Sequence, residues 1–422
     1  MPFQKQISGG ILFLLSHRND DEGIPSTNLG DESGCWTTAE AVDILLRSVY
    51  LPKNRIADLE KMVEFLLKNQ ISGKGWAMTP ERDYVSSMAT GHVLVALSCA
   101  EDVFCENEEL VRKCKKAKAE ALDWTRKNAN PKGGWGVEPE KESGKETRVI
   151  STYYVLKGFF ALGFSYNNSK DVRHAIDYLV QIVNKDNGWG GKEGTPSDPA
   201  NTARVISILL QSGKFEHDDP LVRKGLALIL DSRDDWRIDI ESYTTKGAPG
   251  QVFFHSNTPA DVLEALVRCK YHGKETRDLI EFFLTSQEDS DGRWYLCDAF
   301  QKDTSISTWS TSEAIGVLDF AQEQYFENLF HKYDHISSRN VKLALFATSI
   351  ISLLEFLYII HAYDALSAWW NSLSEGWQQT IIGGTILSII VGILSSYLFE
   401  KMEKLKEKRL KAKKGKDKYS YI

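Results

Sequence analysis

Residues 36–46 read WTTAEAVDILL, and residues 309–318 read WSTSEAIGVL. At both ends of the region that precedes residue 340, a Trp, two hydroxyl residues and Glu-Ala stand ahead of an aliphatic run. Self-similarity of this kind is the mark of a repeat architecture. With Thr38 as anchor, the opening returns at Thr90 (MATGHVLVAL), Thr152 (ISTYYVLKGF), Thr202 (ANTARVISILL), Thr258 (SNTPADVLEAL) and Thr311. The intervals are roughly fifty to sixty residues, long enough for one helical hairpin each. Positions four and seven after each Thr are almost always aliphatic, the spacing of one buried helix face. The residue before each Thr is Thr37, Ala89, Ser151, Asn201, Asn257 or Ser310. All but Ala89 are N-cap types, so each helix is predicted to begin there.

Between these helices lie others of helical period, such as IADLEKMVEFLLKNQ (56–70), VRHAIDYLVQIV (172–183) and RDLIEFFLTSQ (277–287). They run into loops that carry Trp76 (GKGW), Trp135 (GGWG), Trp189 (NGWGG) and Trp294 (DGRW), with Trp236 (SRDDW) at the matching place of a weaker copy. Gln70 and Gln287 stand upstream of two of these tryptophans. Gly permits a tight left-handed turn, after which the indole packs across the junction between units, a structural role. Six such pairs predict an all-α protein built on an (α/α)6 toroid of six helical hairpins over residues 1–324. The first and last inner helices then lie side by side, and a ring hides the end faces that an open stack must cap.

At 422 residues, with 26% charged and 42% hydrophobic residues, the composition is that of an ordinary globular protein over most of its length. A net charge of −7 argues against nucleic acid as a partner. The six cysteines are scattered with no CxxC, which suits a reducing compartment. GGILFLL (9–15) is short and leads into SHRNDD, a poor signal peptide.

The Gly-Trp loops, with Gln70 ahead of Trp76, resemble the repeat of the terpenoid cyclase and protein prenyltransferase toroid superfamily over roughly residues 5–323. That resemblance implies the toroid fold and directs attention to two chemistries. Proton-initiated cyclases use D-x-D-D-T-A at an inner-helix start, with the central Asp as acid; here the stretch reads Asp198-Pro199-Ala200-Asn201-Thr202-Ala203, so Ala200 stands at the acid position. Prenyltransferase β subunits hold zinc through a D-G-C-Y stretch, which here reads Ser33-Gly34-Cys35-Trp36. Cys35, with His255 as the His to be paired with it, makes a weak metal candidate, since zinc wants three or four converging ligands. No cofactor is expected. The aspartate-rich class I motif is lacking, because DDWRID (234–239) has the wrong spacing, and so is a GCGEQ-like thioester stretch.

If positions four and seven pack outward, the opposite stripe faces the lumen. Two positions after the anchor stand Glu40, His92, Tyr154, Arg204, Ala260 and Glu313; further along lie Asp43, Lys157, Ser207, Glu264, Arg47 and Gln211. A polyene cyclase needs an oily, aromatic lumen, whereas this stripe reads as polar and charged. His92, Lys157 and Arg204 form a basic arc opposite an acidic arc of Glu264, Glu313, Glu40 and Asp43. Helix N-termini add partial positive charge at one mouth, so an anion on the basic arc is one expectation, and mutual neutralisation of the arcs is the plain alternative. A carboxylate pair also meets the first requirement of glycoside chemistry.

After a linker (325–339), residues 341–360 and 377–399 are long and apolar enough to span a bilayer, giving a two-helix transmembrane hairpin within 340–400. The tail 401–422 is basic while residues 343–400 carry no Lys or Arg, which predicts tail and toroid on the cytoplasmic side of the inner cell membrane. Gly384, Ser388, Gly392 and Ser396 form a small-residue tape suited to homo-oligomer packing. The reading is a membrane-anchored sensor or effector, of a kind that suits bacterial defence. Its partners are membrane lipid, a polar or anionic small molecule, and a partner protein as the alternative occupant of the lumen. The alternative function is a membrane-tethered enzyme on isoprenoid diphosphate or sugar substrates.

Overall fold

In a computed structural model of the protein, the described residues are 3–25, 32–142, 144–237, 240–243, 252–255, 257–294 and 308–324. All fall within the compact unit Met1–Gln324. The linker, the two apolar segments with Gly384, Ser388, Gly392 and Ser396, and the basic tail lie outside the described residues. Among the described residues no helix is long and apolar enough to cross a membrane.

Twelve α-helices are described, in alternation. One set comprises α1 (Gln4–Ser16), α3 (Ile56–Lys68), α5 (Glu108–Lys127), α7 (Lys170–Gln181), α9 (Pro220–Asp231) and α11 (Lys274–Thr285). These form the outer ring. The inner ring is α2 (Cys35–Arg47), α4 (Ser87–Val103), α6 (Val149–Ala161), α8 (Pro199–Gln211), α10 (Thr258–Arg268) and α12 (308–324). Each inner helix packs on the next from α2 through α10. Burial explains the sorting: the aliphatic pairs Val42/Leu45, Leu94/Leu97, Ile206/Leu209 and Ile315/Leu318 are wholly buried between the rings. Two short antiparallel pairs interrupt the helices, β1 (Ile24–Pro25) with β2 (Ser33–Gly34) and β3 (Ile240–Tyr243) with β4 (Val252–His255), the latter in the register Ile240↔His255.

The anchoring threonines do not follow helix caps as predicted. Thr38, Thr90, Thr152, Thr202 and Thr311 sit one turn inside their helices. The caps stand earlier: Ser86 Oγ accepts from Ala89 N, and Asp198 accepts from Asn201 N ahead of Pro199 in the first turn. Only α10 starts where expected, at Thr258 after Asn257, whose side chain makes no capping bond.

What the threonines do instead is dock the loops. Thr90, Thr152, Thr202 and Thr311 accept through Oγ1 from the backbone N–H of Trp76, Trp135, Trp189 and Trp294, at 2.9–3.1 Å. Each of these buried indoles donates back to the preceding outer helix, as Trp189 does to Leu179 O at 2.7 Å. Gly75 is required beside Trp76, because a Cβ there would fall 2.2 Å from Thr90 Oγ1. In the first and last units two hydroxyls clamp one loop residue. Thr38 accepts from Ile24 N while Thr37 donates to Ile24 O; Thr311 accepts from Trp294 N while Ser310 donates to Trp294 O. The twin openings are therefore twin clamps.

The ring closes with devices it uses elsewhere. Gln70 Nε2 donates to Ala117 O on the next outer helix, and Gln287 Nε2 donates to Gln6 O on α1. On the inner ring, Gln322 Nε2 donates to Tyr50 Oη at 2.7 Å, Gly316 approaches Ile44, Thr308 donates to Pro25 O, and Arg268 lies over Phe320.

Candidate functional site

Glu40, His92, Tyr154, Arg204 and Glu313 each stand five residues past the start of their inner helices and form one layer across the lumen, whereas Ala260 falls in the first turn of α10. Glu40 is 8% exposed, His92 7% and Arg204 2%, values that place charged groups in a site largely shielded from water.

The expected charge sorting changes in the structure, because the basic members face acids. Arg204 Nη2 lies 2.8 Å from Asp261 Oδ2. Lys157 Nζ stands 4.0 Å from Glu264 Oε2, and Tyr153 Oη donates to that oxygen at 3.0 Å. Arg268 Nε reaches Glu264 Oε1 at 2.7 Å. Asp43 faces Arg47 and Cys99 at the far end of α2. Burial drives the His92 imidazole down to about 3, with Lys157 adding to the effect, so it is neutral and no part of a basic arc. Glu264 goes the other way: burial works to raise its carboxyl, but Lys157, Arg268 and Tyr153 bring it to about 2.

Glu40 and Glu313 behave differently. Burial pushes Glu40 up to about 8 against the pull of Lys157, with Asp43 and Asp261 adding repulsion. Glu313 is raised well above the ordinary carboxyl range, first by burial and then by Glu40 and Asp261. Two carboxyls on adjacent helices cannot both shed protons cheaply in such a site. Asp261, raised to about 6 by burial despite Arg204, completes the acidic side.

Aromatic rings line the same lumen, which an oily-versus-charged choice overlooked. Trp309 and Trp36 have ring centroids 6.1 Å apart, Trp36 and His92 6.1 Å, His92 and Tyr154 3.9 Å, and Tyr154 and Tyr153 4.8 Å. This arc spans α12, α2, α4 and α6. Each of the twin openings thus supplies one indole and, a turn later, one carboxyl: Trp36 with Glu40, and Trp309 with Glu313. Asp261, Tyr153, Trp36 and Trp309 were not among the predicted site residues. The Trp-x3-Glu spacing was the signal for two of them.

The remaining sequence candidates are ordinary. Ala200 lies in the first turn of α8, and Asp198 ahead of it is that helix's cap, which also accepts from Asn201 Nδ2 at 2.8 Å. Cys35 is buried and its thiol is pushed up to about 12, chiefly by burial, which disfavours the thiolate zinc requires. His255 lies on β4, and its side chain is outside the described residues. Among the described residues no three His, Cys, Asp or Glu side chains are grouped as a metal ion would need.

The ring and its docked tryptophans make a terpenoid cyclase-like α/α toroid. Squalene–hopene cyclase of Bradyrhizobium diazoefficiens is 28% identical over 154 residues, covering 34% of this chain and 22% of that protein. A probable squalene–hopene cyclase of Sinorhizobium fredii gives 27% over 157 residues. The chain thus spans only about a fifth of the length of these curated relatives. Among solved structures, the type II terpene cyclase MstE from Scytonema with merosterolic acid A gives a TM-score of 0.50 at 18% identity, over 76% of this chain and 99% of that one. The GH76A alpha-1,6-mannanase from Salegentibacter sp. gives 0.52 at 9% identity over the same shares. At these identities the solved structures show the fold alone. No protein-family model matches the chain.

Proposed function

We propose that the chain is a sensor or effector whose lumen binds a polar small molecule and whose segments 341–360 and 377–399 tether it to the inner cell membrane, with toroid and tail on the cytoplasmic side. One observation carries this: Glu40 Oε2, Glu313 Oε2 and His92 Nε2 are buried polar atoms with no hydrogen-bond partner. A buried polar atom left unpaired costs about 1–3 kcal/mol, which a ligand with matching groups removes. Coupling to the membrane is supported by position, because α12 carries Trp309 and Glu313 and is the last described helix before the apolar segments. Native mass spectrometry of the full chain in detergent tests the reading. A bound small molecule should appear, be lost in the Glu40→Gln/Glu313→Gln double variant, and persist in the exposed Lys116→Ala control. An adduct equally present in both variants sinks the lumen site. Gly384→Leu or Gly392→Leu should dissociate an oligomer held by the small-residue tape; an unchanged mass in detergent removes that part.

A second reading, a tethered enzyme on isoprenoid or sugar substrates, draws on the cyclase-like and glycosidase-like neighbours and on carboxyls that stay protonated near neutral pH and can donate a proton. It requires turnover that Glu313→Gln abolishes while ligand binding survives.

A further inference from the structure

We propose that the seam between α2 and α12 binds a primary ammonium ion at Glu40 and Glu313, beside His92, with its carbon skeleton laid against Trp36 and Trp309. The inference rests on the ligand-binding reading above and names the class of ligand.

Charge pairing within the lumen points there. Asp43 has Arg47, Asp261 has Arg204, and Glu264 has Arg268 and Lys157. Among the described residues Glu40 and Glu313 have no ion pair, so a cation is what this side lacks. An anion would face two carboxyls, and a neutral molecule would leave their charge problem as it is. The independent sign of a ligand is His92, more than nine-tenths buried, with Nε2 unpartnered and its ring against Tyr154 and near Trp36. Glu40 Oε2 and Glu313 Oε2, neighbours on adjacent helices, are unpartnered acceptors for the N–H donors of an ammonium group, and His92 Nε2 is a further unpartnered acceptor in the same layer when the other imidazole nitrogen carries the proton. Trp offers the strongest of the aromatic faces for a cation, and two indoles at 6.1 Å also cover an alkyl chain.

Binding such an ion ionises the acid pair and releases a proton. The groups bearing on that proton are Lys157 and Tyr154 from α6, Arg204 from α8, Asp261 from α10, Asp43 from α2 and His92 from α4. Affinity must therefore rise with pH across the neutral range.

The test is calorimetric titration of the full chain with n-butylammonium chloride at pH 6, 7 and 8 and matched ionic strength, beside n-butanol, glucose and inorganic phosphate. Saturable butylammonium binding is expected, about tenfold tighter at pH 8 than at pH 6, with butanol at least about tenfold weaker. In folded Glu40→Gln/Glu313→Gln protein the affinity should fall about tenfold or more and lose its pH dependence. Butanol binding as well as butylammonium, a flat pH profile in the unaltered protein, or full affinity in the double variant overturns the proposal. If butylammonium fails while glucose or phosphate binds and depends on Glu40, the ammonium assignment falls and the ligand-binding reading stands. If every probe is silent and no adduct co-purifies, both fall.

Discussion

Thr202 Oγ1 takes the N–H of Trp189 at 3.0 Å, and neither partner meets water. Thr202→Val keeps the shape and strands that N–H, so unfolding free energy should drop by about 1–3 kcal/mol in urea titration, with Thr202→Ser restoring most of it. A Val variant as stable as the parent would show the bond to be idle. The recurrence of this Thr was plain in the sequence. Its partner was not, because it lies 13 positions upstream in a loop whose path no periodicity describes. Asp261 was missed for a related reason: α10 begins at Thr258 itself, so its lumen face is phased differently from the other inner helices. Glu40 carries a second prediction. Its folded pKa of about 8 lies above the unfolded value of 4.5, so the native state holds more protons than the unfolded chain between those values. Stability from this group is full below pH 4.5 and is lost as pH rises towards 8. The slope at its steepest is about 1.4 kcal/mol per pH unit. Glu40→Gln should flatten that decline and be the more stable protein at pH 8. An unchanged pH–stability curve would mean the carboxyl titrates normally.

At the scale of elements, α4 and α6 meet at Gly91. A Cβ there would lie 2.4 Å from the carbonyl carbon and oxygen of Tyr154, which are backbone atoms that cannot step aside. Gly91→Ala favours the isolated helix yet should destabilise the protein by about 1–3 kcal/mol through overpacking. A gain in melting temperature would refute the close contact. The next residue is His92, so a forced shift should also disturb the aromatic arc, visible as altered near-ultraviolet circular dichroism. The helices and their alternation were legible because a 3.6-residue period repeated six times leaves little room for another fold. Their starts were misplaced by a turn, since the capping side chains Ser86 and Asp198 sit where the sequence looks like loop. The lumen was half legible: most of its charged positions stood on the predicted stripe but Asp261 did not, and periodicity cannot say which opposite charges touch.

At the scale of the molecule, closure makes every unit internal, and this separates a ring from an open solenoid. In an open stack, losing a terminal repeat costs that repeat and one interface, and the rest stays folded. Here α1 is first in sequence and yet packs against the last outer unit. Gln287 donates to Gln6 O, and Gly10 sits so close to Trp294 that a Cβ would come within 2.7 Å of the indole. Ile7, Ile11 and Leu14 are wholly buried in that contact and in the core beneath it. Removing residues 1–17 would strip the cover from Trp294 and Ile315, which belong to the last unit in sequence. Deletion should therefore abolish cooperative unfolding of the toroid, seen as loss of the thermal transition together with aggregation on size exclusion. The narrower variant Gln287→Leu removes the closing bond to Gln6 O together with the loop bond to Gly292 O, and should lower stability by about 1–3 kcal/mol while leaving a single transition. If the deleted protein instead melted cooperatively with only a small drop in enthalpy, the ends would not be joined. The layer of Glu40 and Glu313, which exists only because α12 lies beside α2, would then lose its basis.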